Sequence, residues 1–149
     1  MEIDPRGPRF GAFITIAVLA VVLITRNAWL LSFQTAVFAI GALAGLRYAP
    51  YGLLYRWLIR PRLGPPAHTE AEAPPRFAQG MGAVIAAAGV IAFAAGSSVT
   101  GMVFTALALA AAFLNAVFDF CLGCQVYLFI QRARPSIQPT VSSDQEVYQ

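Results

Sequence analysis

The chain has 149 residues, 58% of them hydrophobic and only 11% charged, and carries a formal net charge of +3 at pH 7. An ordinary soluble domain holds roughly 45–50% apolar and about 25% charged residues, and so short a chain cannot hide the excess apolar surface in its own interior. Nucleic acid is not an expected partner either, because all ten cations are arginines spread singly or in pairs along short connectors. Lipid is the expected solvent.

The stretches free of charge and proline mark the membrane spans. Four apolar runs follow in chain order, at about residues 10–25, 28–46, 78–96 and 101–130. A bilayer core of about 30 Å needs about 20 helical residues, and the first three runs fit if flanking residues snorkel. All ten prolines fall outside these runs, as expected if the runs are continuous helices and the prolines mark connectors. No small-residue cleavage site follows the first run, so that run is expected to remain as a span, with Thr25-Arg26-Asn27 as a tight turn. Residues 77–118 carry no charged side chain and read as a two-helix hairpin turning at residues 96–101. The predicted fold is an all-α membrane protein. Four transmembrane helices form two hairpins over residues 1–131, and a disordered cytoplasmic tail follows over 132–149.

Nine of the ten arginines lie in the amino terminus, the connector between spans two and three, and the tail, which share one side if there are four spans; Arg26 alone falls on the other. The positive-inside rule then places both termini in the cytoplasm, and the membrane is expected to be a bacterial plasma membrane.

The connector holds most of the polar sequence. Residues 51–60 put Leu53, Leu54, Trp57 and Leu58 at helical spacing beside Arg56 and Arg60, which predicts an amphipathic helix lying in the interface. Its plain reading is an anchor to anionic lipid; the alternative is that Arg56, Trp57, Arg60 and Arg62 dock a partner. Pro61-Arg62-Leu63-Gly64-Pro65-Pro66 and Pro74-Pro75-Arg76 favour extended backbone. His68, the single histidine, reads as a solvated loop residue. Gly41 and Gly45, and Gly82, Gly89 and Gly96 at seven-residue spacing, offer smooth faces for close helix contact. Those faces can serve the bundle within one chain or join chains into a homo-oligomer.

The fourth run carries the candidate chemistry. Thirty helical residues would extend about 45 Å, so the helix must tilt, break or continue past the boundary. The chain's two cysteines, Cys121 and Cys124, stand three apart near its cytoplasmic end. Asp119 is the one charged residue within the predicted spans. A carboxylate costs about 2.5–3.5 kcal/mol at a helix centre, so Arg9, Arg47 or Arg132 is expected as its partner. On an unbroken helix Asn115 and Asp119 share one stripe, while Cys121 and Cys124 share another with Val117 and Leu128. Mid-helix cysteines in lipid would be inert packing residues. A break near residues 118–120 would instead place the pair at a helix start, where thiolates are favoured, with Asn115, Asp119 and Gln125 as supporting polar residues. The two readings stand side by side. Two thiols leave a zinc site half built, Gln125 replaces the histidine that a c-type haem requires, and no cofactor is expected.

Asp4-Pro5-Arg6, Pro8-Arg9-Phe10-Gly11, Pro50-Tyr51-Gly52, residues 60–66, residues 74–79, Phe113-Leu114-Asn115-Ala116 and Cys121-Leu122-Gly123-Cys124 together resemble a bacterial family of small integral membrane proteins, the domain-of-unknown-function 4395 family. The resemblance covers all but the tail. It implies no established activity. The family's genes often lie beside those of thioredoxin-like and rhodanese-type sulfurtransferase proteins, which implies thiol or sulfur chemistry with a cytoplasmic partner of one of those kinds. Members usually have glycine where this chain has Asp119, which argues against a catalytic role for that carboxylate. Three functions follow as expectations: a membrane dithiol, a small transporter or channel subunit, or a non-enzymatic scaffold.

Overall fold

A computed structural model describes residues 2–66 and 68–133; the expectation of a disordered tail falls almost wholly outside them. The described chain is helical apart from one short strand pair, in the order β1 (Glu2–Ile3), α1 (Arg6–Thr25), α2 (Ala28–Leu43), α3 (Pro50–Leu54), β2 (Glu70–Ala71), α4 (Ala73–Ala94), α5 (Ser98–Phe118) and α6 (Leu122–Ala133).

Helix α1 begins four residues before the expected span, and Pro8 sits inside it. The first turn of a helix needs no backbone donor from that position, so proline is compatible there. Asp4 closes this end: its Oδ1 accepts from the Arg6 amide at 3.0 Å, and its carbonyl accepts from the Gly7 amide at 3.1 Å. Pro74 and Pro75 likewise occupy the first turn of α4. These three prolines therefore start helices where the sequence pattern assigns them to connectors.

The turn between α1 and α2 is two residues long. Arg26 ends α1 in the left-handed region (φ 53°), and the Asn27 side chain accepts from the Trp29 and Leu30 amides at 2.9 and 3.2 Å, a side-chain cap on α2. Helix α2 stops at Leu43, short of the expected residue 46. Gly45 turns the chain with φ 101°, and the buried Glu72 takes the Leu46 amide at 3.0 Å. Arg76 caps the exposed end of α2, donating to Ala42 O at 3.2 and 2.9 Å and to Leu43 O at 3.1 Å. Cations suit this position because helix carboxyl ends carry partial negative charge.

Helices α1, α4 and α5, of 20, 22 and 21 residues, are long and apolar enough to cross a membrane; α2, with 16, is a shorter apolar helix. The chain is thus an all-helical membrane protein with three full-length candidate spans where the sequence predicts four. Helix α1 packs mainly along α5, and α2 along α4. The core between them is Leu19 and Val22 of α1, Leu31 and Phe38 of α2, Ala86 of α4 and Ala108 of α5. Large apolar residues such as Trp29, Val84, Ile91, Val99 and Leu107 face outward, as a lipid environment allows. The glycines of α4 serve contacts within the chain, chiefly with α2. A Cβ at Gly82 would lie 3.3 Å from the Phe38 ring, and one at Gly89 would lie 2.9 Å from Leu31. Gly96 instead makes the hairpin turn (φ 80°), and α5 begins at Ser98, so this turn is shorter than the expected 96–101.

The connector helix covers the expected residues 51–60 and extends beyond them. After α3 the chain continues helical through a π turn at Tyr55–Ile59 and a 3-10 turn at Arg60–Arg62. Pro61 therefore lies in a helical turn rather than extended backbone. Tyr55 is buried beneath this segment while Trp57 is exposed. β1 pairs antiparallel with β2, Glu2 opposite Ala71 and Ile3 opposite Glu70, tying the amino terminus to the connector. His68 is exposed and lies 3.6 Å from Glu70.

Candidate functional site

The fourth apolar run is not one helix. Helix α5 ends at Phe118, and Asp119 adopts the left-handed conformation (φ 56°) that terminates helices. The amides of Asp119 and Phe120 both turn back to Leu114 O, the latter at 3.2 Å. The span expected over about residues 101–130 therefore ends at Phe118, and of the outcomes open to so long a run the chain takes the break near 118–120: the apolar character continues through a change in direction, which hydropathy does not register.

Cys121 stands immediately before the new helix. The Gln125 amide donates to its carbonyl at 3.1 Å, the first bond of α6. The Cys124 amide donates to Cys121 Sγ at 3.3 Å. Cys121 thus holds the N-cap position, with its sulfur where a serine or aspartate oxygen would normally sit. The two cysteines form a disulfide, with Cα atoms 5.2 Å apart, and both are part-buried.

Long-range packing fixes this geometry. A Cβ at Gly123 would fall 2.6 Å from both the Cα and Cβ of Ala78, so α6 rests directly on the backbone of α4 at this point. Further along, the Phe77 and Tyr127 rings meet with centroids 5.6 Å apart. The amphipathic α6 folds against α4 instead of carrying α5 onward. Arg9 of α1 donates to Ala116 O at 2.9 Å, closing the carboxyl end of α5 just before the break.

The structure separates the residues that the sequence groups with the cysteines. Asp119 is exposed, lies beyond the end of α5 and, among the described residues, has no ion-pair partner; Arg9 binds the α5 backbone instead. The expected shared stripe of Asn115 and Asp119 dissolves because Asp119 is not helical. Asn115 is half-buried on α5, and Gln125 is exposed on α6. Arg56, Trp57, Arg60 and Arg62 are all exposed on the connector helix. No cluster of three or more metal-binding side chains occurs among the described residues.

Sequence reasoning missed a buried polar chain that runs from the connector into the middle of α1 and α2. Tyr51 Oη donates to Gln34 Oε1 at 2.7 Å, and Gln34 Nε2 donates to Thr15 Oγ1 at 3.4 Å, with Gln34 and Thr15 both buried. Gln34 interrupts the second run, and that was the available signal. Nearby, Tyr55 Oη donates to Asp4 Oδ2 at 3.0 Å. Burial pushes the phenols of Tyr51 and Tyr55 above their ordinary value, and for Tyr55 the Asp4 carboxylate adds to the effect. A cavity of about 450 Å³ lies between α1, α2 and the connector, with Tyr51 and Tyr55 in its wall.

No curated protein matches the chain, and no solved structure does. A family model does match, over residues 3–132, from β1 through the cysteine pair to nearly the end of α6. This chain of apolar helices belongs to the family described as Domain of unknown function (DUF4395).

Proposed function

We propose that Cys121 and Cys124 are a membrane-bound dithiol–disulfide centre that exchanges electrons with a thioredoxin-like protein of the cytoplasm. The observation that carries this reading is the position of Cys121 at the start of α6, with the Cys124 amide directed at its sulfur. In the reduced form the same amide and the helix dipole favour the Cys121 thiolate over the thiol, and thiolate is the reactive species. Packing residues buried in an unbroken span would have none of these features.

The exchange balances without a cofactor. A thiolate of the partner attacks one sulfur of the Cys121–Cys124 disulfide, and the other cysteine leaves as a thiolate that takes a proton. The partner's second thiol then breaks the mixed disulfide. Two electrons and two protons pass to the chain, and the partner leaves oxidised; the reverse direction begins with attack by Cys121.

The cytoplasmic placement is supported by where the arginines gather. Arg9 reaches the end of α5, Arg76 the end of α2, and Gly123 rests on the start of α4, so the amino terminus, the connector and the cysteines share one end. A fourth crossing by α2 is supported by its antiparallel course along α4, with Leu31 beside Gly89 and Gly41 beside Gln79. Its length of about 24 Å fits a locally thinned bilayer.

The test uses the full, reduced chain in membrane vesicles with thioredoxin in its disulfide form as probe, so that the Cys121 thiolate attacks the probe's disulfide and displaces one of its cysteines as a thiolate. Cys124→Ser is expected to accumulate a mixed disulfide through Cys121, and Cys121→Ser much less of one. Alkylation of the reduced protein should show Cys121 ionising below about pH 8.5, the ordinary thiol value. If neither cysteine reacts with a membrane-impermeant reagent and no disulfide forms under oxidant, the reading fails.

A further inference from the structure

The cavity of about 450 Å³ at the connector end is distinct from the cysteine pair and has the make-up of a ligand site. Small-molecule sites occupy about 300–1,000 Å³ and combine apolar walls with a few polar groups. Here Val37, Tyr51 and Tyr55 supply the wall, Gln79 adds an amide, and Arg47, Arg56 and Arg60 converge from the loop after α2 and from the connector helix. Among the described residues, the guanidinium groups of Arg56 and Arg60 make neither a hydrogen bond nor an ion pair, and that of Arg47 only lies over the Tyr48 ring at 4.9 Å. The two carboxylates lining the cavity are already engaged. Asp4 accepts from the Tyr55 hydroxyl and the Arg6 amide, each at 3.0 Å, and Glu2 accepts from the Thr69 hydroxyl. The donors left over are guanidinium groups, and their planar forks match phosphate oxygens.

We propose that this cavity binds a phosphate-bearing ligand, with Arg47, Arg56 and Arg60 on the phosphate and the tyrosine-lined wall against the remainder. The volume exceeds what a bare ion fills, and the exposed Trp57 and Leu58 beside these arginines suit an interfacial level. A phospholipid headgroup and a soluble phosphate share this chemistry.

Purified full-length protein in phosphate-free maltoside micelles is titrated with short-chain phosphatidylglycerol and, separately, with inorganic phosphate at constant ionic strength, and binding is read by calorimetry. The expected result is saturable binding that weakens at least tenfold in Arg56→Gln/Arg60→Gln and less than twofold in Arg62→Gln, whose side chain lies outside the cavity lining. Binding of the lipid alone assigns a headgroup, and displacement of the lipid by inorganic phosphate assigns a soluble source. Absence of saturable binding to either probe overturns the proposal. So does equal weakening by Arg62→Gln, which would mean diffuse attraction to a basic surface. Circular dichroism checks that each variant is folded, and Arg47→Gln replaces the double variant if that one is not.

Discussion

Gly123→Ala separates a helix glycine that merely lowers propensity from one that permits a contact. In an unpacked helix the change gains up to about 1 kcal/mol, because glycine gives up more backbone freedom on folding than alanine does. Here the added methyl would lie 2.6 Å from the Cα and Cβ of Ala78 and 3.4 Å from its nitrogen. Ordinary carbon contacts begin near 3.4 Å, so α6 must move away from α4 by about 1 Å, and the obstructing Cα is backbone that no rotamer change can clear. Overpacking of this kind costs about 1–3 kcal/mol. The net expectation is a loss of about 1–2 kcal/mol, read by thermal unfolding in micelles followed by circular dichroism. The start of α6 should loosen with it, so the reduced cysteines should be alkylated faster than in the wild type. Ala78→Gly removes one of the two 2.6 Å contacts and should restore only part of the loss in the double variant. A raised unfolding midpoint for Gly123→Ala would refute the close packing of α6 on α4.

Two further outcomes follow from backbone and hydrogen-bond geometry. Asp119 holds a left-handed conformation (φ 56°) that disfavours side chains, so Asp119→Gly should stabilise the protein by about 0.5–1 kcal/mol in the same unfolding assay; a fall would show that the carboxylate makes a compensating contact. Tyr55→Phe removes the hydroxyl bonded to Asp4 and should cost about 1–2 kcal/mol at neutral pH. The phenol's folded value lies above its ordinary 10.0, so its stabilisation is complete below pH 10 and disappears as pH rises through the raised value. Tyr55→Phe should therefore lose less stability than the wild type between pH 10 and strongly alkaline solution, and an identical alkaline decline in both proteins would contradict the assignment.

Much of the helical frame was legible in the sequence because charge and proline are absent from the cores of α1, α4 and α5, and lipid tolerates little else there. Helix starts were less legible. Pro8, Pro74 and Pro75 break a helix interior but fit a first turn, and composition cannot tell the two positions apart. The early end of α2 depends on residues some thirty positions away, Arg76 reaching its final carbonyls and Glu72 holding the Leu46 amide in the turn that follows. The sequence assigns the arginines beside the spans to topology, whereas the role of Arg9 and Arg76 as donors to helix ends needs the folded neighbours. The break before Cys121 left only Asp119 as a mark in the sequence, since Phe118, Phe120 and Leu122 around it are as apolar as a span requires. It is set by one left-handed residue and by a glycine contact with Ala78, and neither is local information.

The far end of the bundle consists of two tight turns, Arg26–Asn27 and the bend around Gly96, whereas the cysteines, the connector and the amino-terminal strand crowd the opposite end. With both cysteines at that end, the proposed function would make the direction of insertion select the redox pool that the pair meets. Facing the cytoplasm, the disulfide meets a glutathione poise of roughly −220 to −320 mV, and facing outward it would meet an oxidising one. The same fold inverted would therefore be poised as an oxidised rather than a reduced centre. Under the proposed orientation, the arginines would set the redox poise of the thiols through insertion, without touching them.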